Sequence, residues 1–122
     1  MERARFEALV KEALQSLPPR FKKHIHNLAV MVEDRPRPSA GGGARPGLLL
    51  GLYHGLPYKD RGATYGSPVP DVIVVYQEPI EQISSTDEEV RDRIRQVVLH
   101  EVGHYFGLSE KELRDIEREE GE

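Results

Sequence analysis

His100-Glu101-Val102-Gly103-His104 sets two imidazoles four residues apart with a carboxylate between them, and Gly107 and Glu110 follow. On a helix, residues four apart share a face one turn apart. The two rings can therefore converge on one cation while Glu101 stands beside it without ligating it. Two neutral imidazoles, a third donor and one open water position make up a catalytic zinc site. The chain has no cysteine, which excludes thiolate ligands, thiol catalysis and disulfides. Any metal site has to be built from His, Asp or Glu.

The third donor depends on how the chain turns after His104. Gly107 breaks the helix and lets the chain return beneath the histidines, which brings Glu110 within reach. Glu112 competes for the same role. It also stands three residues after Ser109, the spacing of a capping box that opens a further helix, and that explains it without a metal. Glu110 is the preferred third ligand, and one zinc ion is the expected cofactor.

These residues need a rigid support, and the sequence offers one. Ser84-Ser85-Thr86 followed by Asp87-Glu88-Glu89 supplies capping hydroxyls and acidic residues for a helix N-terminus. The spacing predicts a helix of about five to six turns from there to Phe106, closed by Gly107. At about 100° per residue, Ile94, Val98, Leu99, Val102 and Phe106 spread over a core-facing arc. His100 and His104 flank that arc in line with Val97 and Arg93, with Glu101 between them and the core. Gly103, on the far side of the stripe, leaves room for a close neighbour.

Upstream, Phe6, Leu9, Val10, Ala13, Leu14 and Leu17 have helical spacing, and Pro18-Pro19 stops that helix. Strands are expected at Leu28–Val32, at Leu48–Tyr53 and, most clearly, at the β-branched run Asp71–Tyr76. The second and third of these are expected to pair, with Tyr65-Gly66 adding an edge. Pro and Gly dominate 35–47 and 55–70, so both read as connections, and the Gly41–Gly43 loop is a candidate cover for the cleft whose course the sequence does not give. A last helix runs from Ser109 through Arg118. The fold class is α+β: a small mixed sheet on a long metal-binding helix, with N-terminal and C-terminal helices.

At 122 residues the chain reads as one domain. A net charge of −4 argues against nucleic acid and anionic membrane as partners, and the basic run Arg20-Phe21-Lys22-Lys23 is too short to reverse that. No apolar stretch reaches signal-peptide or membrane-span length, so a cytoplasmic protein is expected. His24 and His26 would share a face of an extended segment, but a solvated pair beside Lys23 is the simpler account. His54 reads as a polar residue at a strand end.

The stretch from His100 to Glu110 resembles the extended motif of zincin metallopeptidases, and most of all that of a small bacterial minimal-metallopeptidase family. Leu52-Tyr53-His54-Gly55, Arg61-Gly62, Tyr65-Gly66 and Pro70-Asp71 are similar to that family's upstream pattern. The resemblance implies a zincin-like fold in which His100, His104 and Glu110 bind zinc and Glu101 is the general base. It also implies hydrolysis of peptide bonds by a zinc-activated water, with a peptide or unfolded protein as substrate. The pattern departs from that of metzincins, whose third ligand is normally His and which carry a methionine turn downstream. Here the methionines are Met1 and Met31. The 105–122 tail is expected to wall the substrate cleft only shallowly. Tyr53, His54, Tyr65 and Arg93 are the candidate donors to a transition-state oxyanion. A non-catalytic metal-containing peptide-binding module, or a metal hydrolase of a non-peptide amide, would use the same residues.

Overall fold

Asp71–Tyr76 is the strand around which the rest assembles, and its apolar residues on both faces explain why. Ile73, Val74, Val75 and Tyr76 are all buried, as expected of a strand covered on both sides. The computed structural model describes residues 1–37, 49–55 and 70–120. In chain order these form α1 (Arg3–Gln15), α2 (Pro19–Lys22), β1 (Leu28–Glu33), β2 (Gly51–His54), β3 (Asp71–Tyr76), α3 (Gln77–Gln82), α4 (Asp87–Tyr105) and α5 (Glu110–Glu120).

The sheet is mixed, in the order β1-β3-β2. β1 runs parallel to β3, from Leu28 opposite Asp71 to Glu33 opposite Tyr76. β2 runs antiparallel to β3, from Gly51 opposite Val75 to His54 opposite Val72. The expected pairing of the second and third strands therefore holds, and β1 adds a parallel neighbour on the other side. Among the described residues the second strand runs from Gly51 to His54, and the expected start at Leu48 lies outside them. Leu50 precedes it but already accepts a hydrogen bond from the Tyr76 amide at 2.9 Å. The Tyr65-Gly66 edge and the Gly41–Gly43 cover lie outside the described residues.

The core lies between the sheet, α1 and α4. Phe6, Val10 and Ala13 of α1 meet Ile73 and Val75 of β3 and Val90, Ile94, Val98 and Val102 of α4. Pro18 and Pro19 end α1, and they also open the short α2, where the fixed φ of Pro19 suits a first helical position. α3 follows β3 directly. It is held by Ile80, which is fully buried, and by Gln77, whose amide donates to the Met1 carbonyl at 2.8 Å and accepts from Arg3 Nε at 2.8 Å.

Both ends of α4 are closed as the sequence leads one to expect. The Thr86 hydroxyl accepts from the Glu89 amide at 3.1 Å. At the other end Gly107 has φ of 74°, and two backbone bonds satisfy the last carbonyls: Gly107 N–H to the His104 oxygen (2.9 Å) and Leu108 N–H to the Gly103 oxygen (3.0 Å). This paired closure needs a residue at ease in the left-handed region, which is glycine's property. No helix among the described residues is long and apolar enough to cross a membrane.

Candidate metal centre

The turn at Gly107 reverses the chain, and α5 starts three residues later. Ser109 and Glu112 form the reciprocal capping box, the Glu112 amide donating to the Ser109 hydroxyl at 3.1 Å and the Ser109 amide to Glu112 Oε1 at 2.8 Å. Glu112 is thereby engaged at the helix end. Glu110 faces the histidines instead. Its Oε1 lies 3.7 Å from His100 Nε2 and 3.7 Å from His104 Nε2. The two rings stand edge to face with centroids 4.8 Å apart.

These distances suit a metal. With zinc–nitrogen and zinc–oxygen bonds of about 2.0–2.2 Å, neighbouring ligands of a tetrahedron are separated by about 3.4 Å. One carboxylate oxygen nearly equidistant from two imidazole nitrogens meets that spacing with little adjustment. Among the described residues His100, Glu101 and His104 are the group whose candidate ligand atoms cluster, all within 4.8 Å of one another.

His100 is held from its other side as well. Its Nδ1 lies 3.1 Å from Glu117 Oε2, one turn from the end of α5. A carboxylate accepting from Nδ1–H leaves the Nε2 lone pair directed at Glu110, so this contact fixes both tautomer and ring orientation. The sequence reading did not single out Glu117. The signal was present, because Glu110 and Glu117 are seven residues apart and lie on one stripe of α5.

Glu101 is buried, at 8% exposure. Burial pushes its carboxyl up to about 7. The neighbouring His100 and a backbone hydrogen bond from Tyr53 oppose the shift, while Glu110 adds to it. Burial likewise holds the His104 imidazole below its ordinary value, with His100 acting in the same direction and Glu110 against it. Both shifts favour neutral groups in the metal-free site, and a neutral imidazole is the form that binds a cation.

Two glycines make the packing around this flank possible. A Cβ at Gly103 would sit 1.8 Å from Leu113 Cδ2, so α5 docks into the notch left by the missing side chain. A Cβ at Gly51 would sit 2.5 Å from Val97 Cγ1 and 3.4 Å from Glu101 Cγ, so β2 comes directly against the helix beside the carboxylate.

The candidate oxyanion donors are distributed differently from the expectation. The Tyr53 hydroxyl donates to the buried Asp71 at 2.8 Å, and its ring meets Tyr105 edge on, so it serves the sheet end rather than the cleft. His54 is exposed at the end of β2, and Tyr65 is outside the described residues. Arg93 lies on the histidine stripe but seven residues, about 10 Å of helix, before His100, so it is set back from the histidines and does not serve as the oxyanion donor. His24 follows α2 in a turn, its amide bonded to the Phe21 carbonyl, so His24 and His26 do not form an extended pair. The backbone of His26 is bonded through both its amide and its carbonyl to the Tyr105 hydroxyl.

Comparison with known proteins agrees with this geometry. No curated protein matches the chain. Among solved structures, a conserved hypothetical protein from Thermus thermophilus is similar over 85% of this chain and 92% of its own, with a TM-score of 0.56 at 20% identity. That likeness concerns the fold alone. A profile of zincin-like metallopeptidases matches residues 25–120, which include both histidines and all of α5. The chain therefore belongs to the zincin-like metallopeptidase family.

Proposed function

We propose that the protein is a zinc-dependent peptidase in which His100, His104 and Glu110 hold the ion and Glu101 is the general base. The observation that carries this reading is the pairing of a three-donor set with a buried carboxylate tuned to about 7. Structural zinc sites use four protein ligands, whereas catalytic sites leave one position open. In this reading the two imidazoles and Glu110 Oε1, 3.7 Å from each, are the three donors, and Glu101, whose oxygen also lies within 4.8 Å of the histidine nitrogens, is assigned as the base so that the fourth position is left to water.

A bound zinc ion supplies a water whose pKa falls from 15.7 to about 7. Glu101 takes a proton from the attacking water on its carboxylate oxygen as the water oxygen bonds to the peptide carbonyl carbon. The carbon–nitrogen bond then breaks, and Glu101 returns the proton to the leaving amine. A general base works best with a pKa near the working pH, and burial raises that of Glu101 against the lowering that a bound cation would impose. Glu117 holds His100 in the ligating tautomer throughout.

The test is Glu101→Gln, which keeps size and burial and removes the base. Chelator-sensitive cleavage of a peptide library should fall by about 10²–10⁴-fold, while zinc content by atomic absorption stays at the wild-type level. Undiminished cleavage by the zinc-loaded variant would rule out the assignment of Glu101.

A further inference from the structure

We infer that Arg93 anchors a carboxylate on the leaving side of an extended peptide, about three residues beyond the bond that is cut. The inference rests on the peptidase reading above and deepens it into a substrate preference.

Arg93 precedes His100 by seven residues and His104 by eleven, so at about 100° per residue it lies on the helix surface between the two, about 20° from each. It stands about 10 Å further toward the N-terminus of α4 than His100, a distance an extended chain covers in about three residues. Its side chain is half-buried, and its Nε is fully buried with no hydrogen-bond partner among the described residues. Three other arginines do find partners. Arg3 meets Gln77 and Asp34, Arg35 meets Glu78 and Arg91 meets Glu12. The natural helical partner of Arg93 is Glu89, one turn earlier, but that carboxylate turns away to accept from the Ser85 amide at 2.8 Å. Among the described residues this half-buried guanidinium has no carboxylate partner, and one brought by a ligand to its outer edge would form a charge-assisted bond while the buried Nε side holds the group in place.

The direction of β2 gives the side. Gly51 lies against Val97, and the Tyr53 backbone reaches Glu101, so β2 runs the same way along the sheet as α4. Among the described residues β2 pairs only with β3. A chain added antiparallel to its other edge would run the opposite way, carrying its C-terminal half past Glu101 toward Arg93. The carboxylate could come from an acidic side chain or from the end of a short peptide.

Both sources can be read in one experiment. The zinc-loaded protein is given a random decapeptide library, once with free and once with amidated C-termini, and the products are sequenced. Enrichment of Asp or Glu at about the third residue past the cut identifies a side chain. Cuts gathered at that distance from free but not amidated ends identify the terminus. Either preference should be about tenfold or more, should vanish in Arg93→Gln, and should persist in part in Arg93→Lys, with zinc content and melting temperature unchanged in both. A preference that survives Arg93→Gln, or no carboxylate preference in the wild type, overturns the inference. If nothing is cleaved, the same library is retained on zinc-loaded Glu101→Gln with and without Arg93→Gln. Retention of carboxylate peptides that depends on Arg93 upholds the anchor even though the peptidase reading has failed. Retention indifferent to Arg93 sinks it.

Discussion

The two sides of α4 solve different problems with the same nineteen residues. One side, through Val90, Ile94, Val98 and Val102, is hydrocarbon packed on α1 and β3, and its value is area removed from water. The other carries Arg93, His100, Glu101 and His104, all partly or wholly withdrawn from water. Its supports come from outside the helix, namely Gly51 and the Tyr53 backbone in β2 and Leu113 and Glu117 in α5. The first side should govern whether the chain folds, and the second what the folded chain can bind.

The largest separation between the two should come from Ile94→Ala. Ile94 is fully buried, and truncating it should cost about 2–5 kcal/mol of unfolding free energy. Denaturant melts measure this, and zinc affinity of the remaining folded protein should stay at the wild-type value. Loss of affinity alongside stability would mean that the two sides are one mechanical unit.

A pH series sharpens the contrast from the other side. The Glu101 carboxyl rises from an ordinary 4.5 to about 7 on folding, so the native state keeps a proton that the unfolded chain releases. The contribution of Glu101 to the stability of the metal-free protein is then full below 4.5 and is lost as pH rises through 7, a change on the order of 3 kcal/mol. The Glu101→Gln protein should lack that decline when both are melted at several pH values with chelator present. Identical slopes would remove the burial of Glu101 as the cause.

Glu117→Ala should act on binding rather than on folding. Without its acceptor, His100 is released from the ligating tautomer, and zinc affinity should weaken by about 10–100-fold in competition with a chromophoric chelator. Unchanged affinity would mean the 3.1 Å contact is incidental. The smallest effect belongs to the N-terminus of α4. Thr86→Ala removes the cap on Glu89 and should cost about 1 kcal/mol, with zinc affinity unaltered.

What could be read from the sequence follows the range of the forces involved. α1, α4 and α5 announce themselves through 3.6-residue periodicity and caps, and β3 through its β-branched run, because these signals are local. The approach of Glu110 was legible too, since Gly107 fixes a reversal over a few residues. α3 was not, because nothing within 77–82 marks a helix start; Ile80 is placed by the core and Gln77 by the N-terminal residues. The parallel alignment of β1 with β3 is likewise non-local. That Glu89 does not pair with Arg93 is decided by its turn toward the Ser85 amide, which spacing does not reveal.

α5 is seated on the rest of the chain chiefly through Leu113, 1% exposed, in the notch at Gly103. Eleven residues in water do not sustain a helix by themselves. Docking of α5 is thus an equilibrium of its own, and both carboxylates that reach His100 travel with it. The affinity of the site is that of the assembled donors scaled by the fraction of molecules with the helix seated. Leu113 offers no donor atom, yet it sets that fraction, and an ion once held works in reverse as the clasp that keeps the helix down.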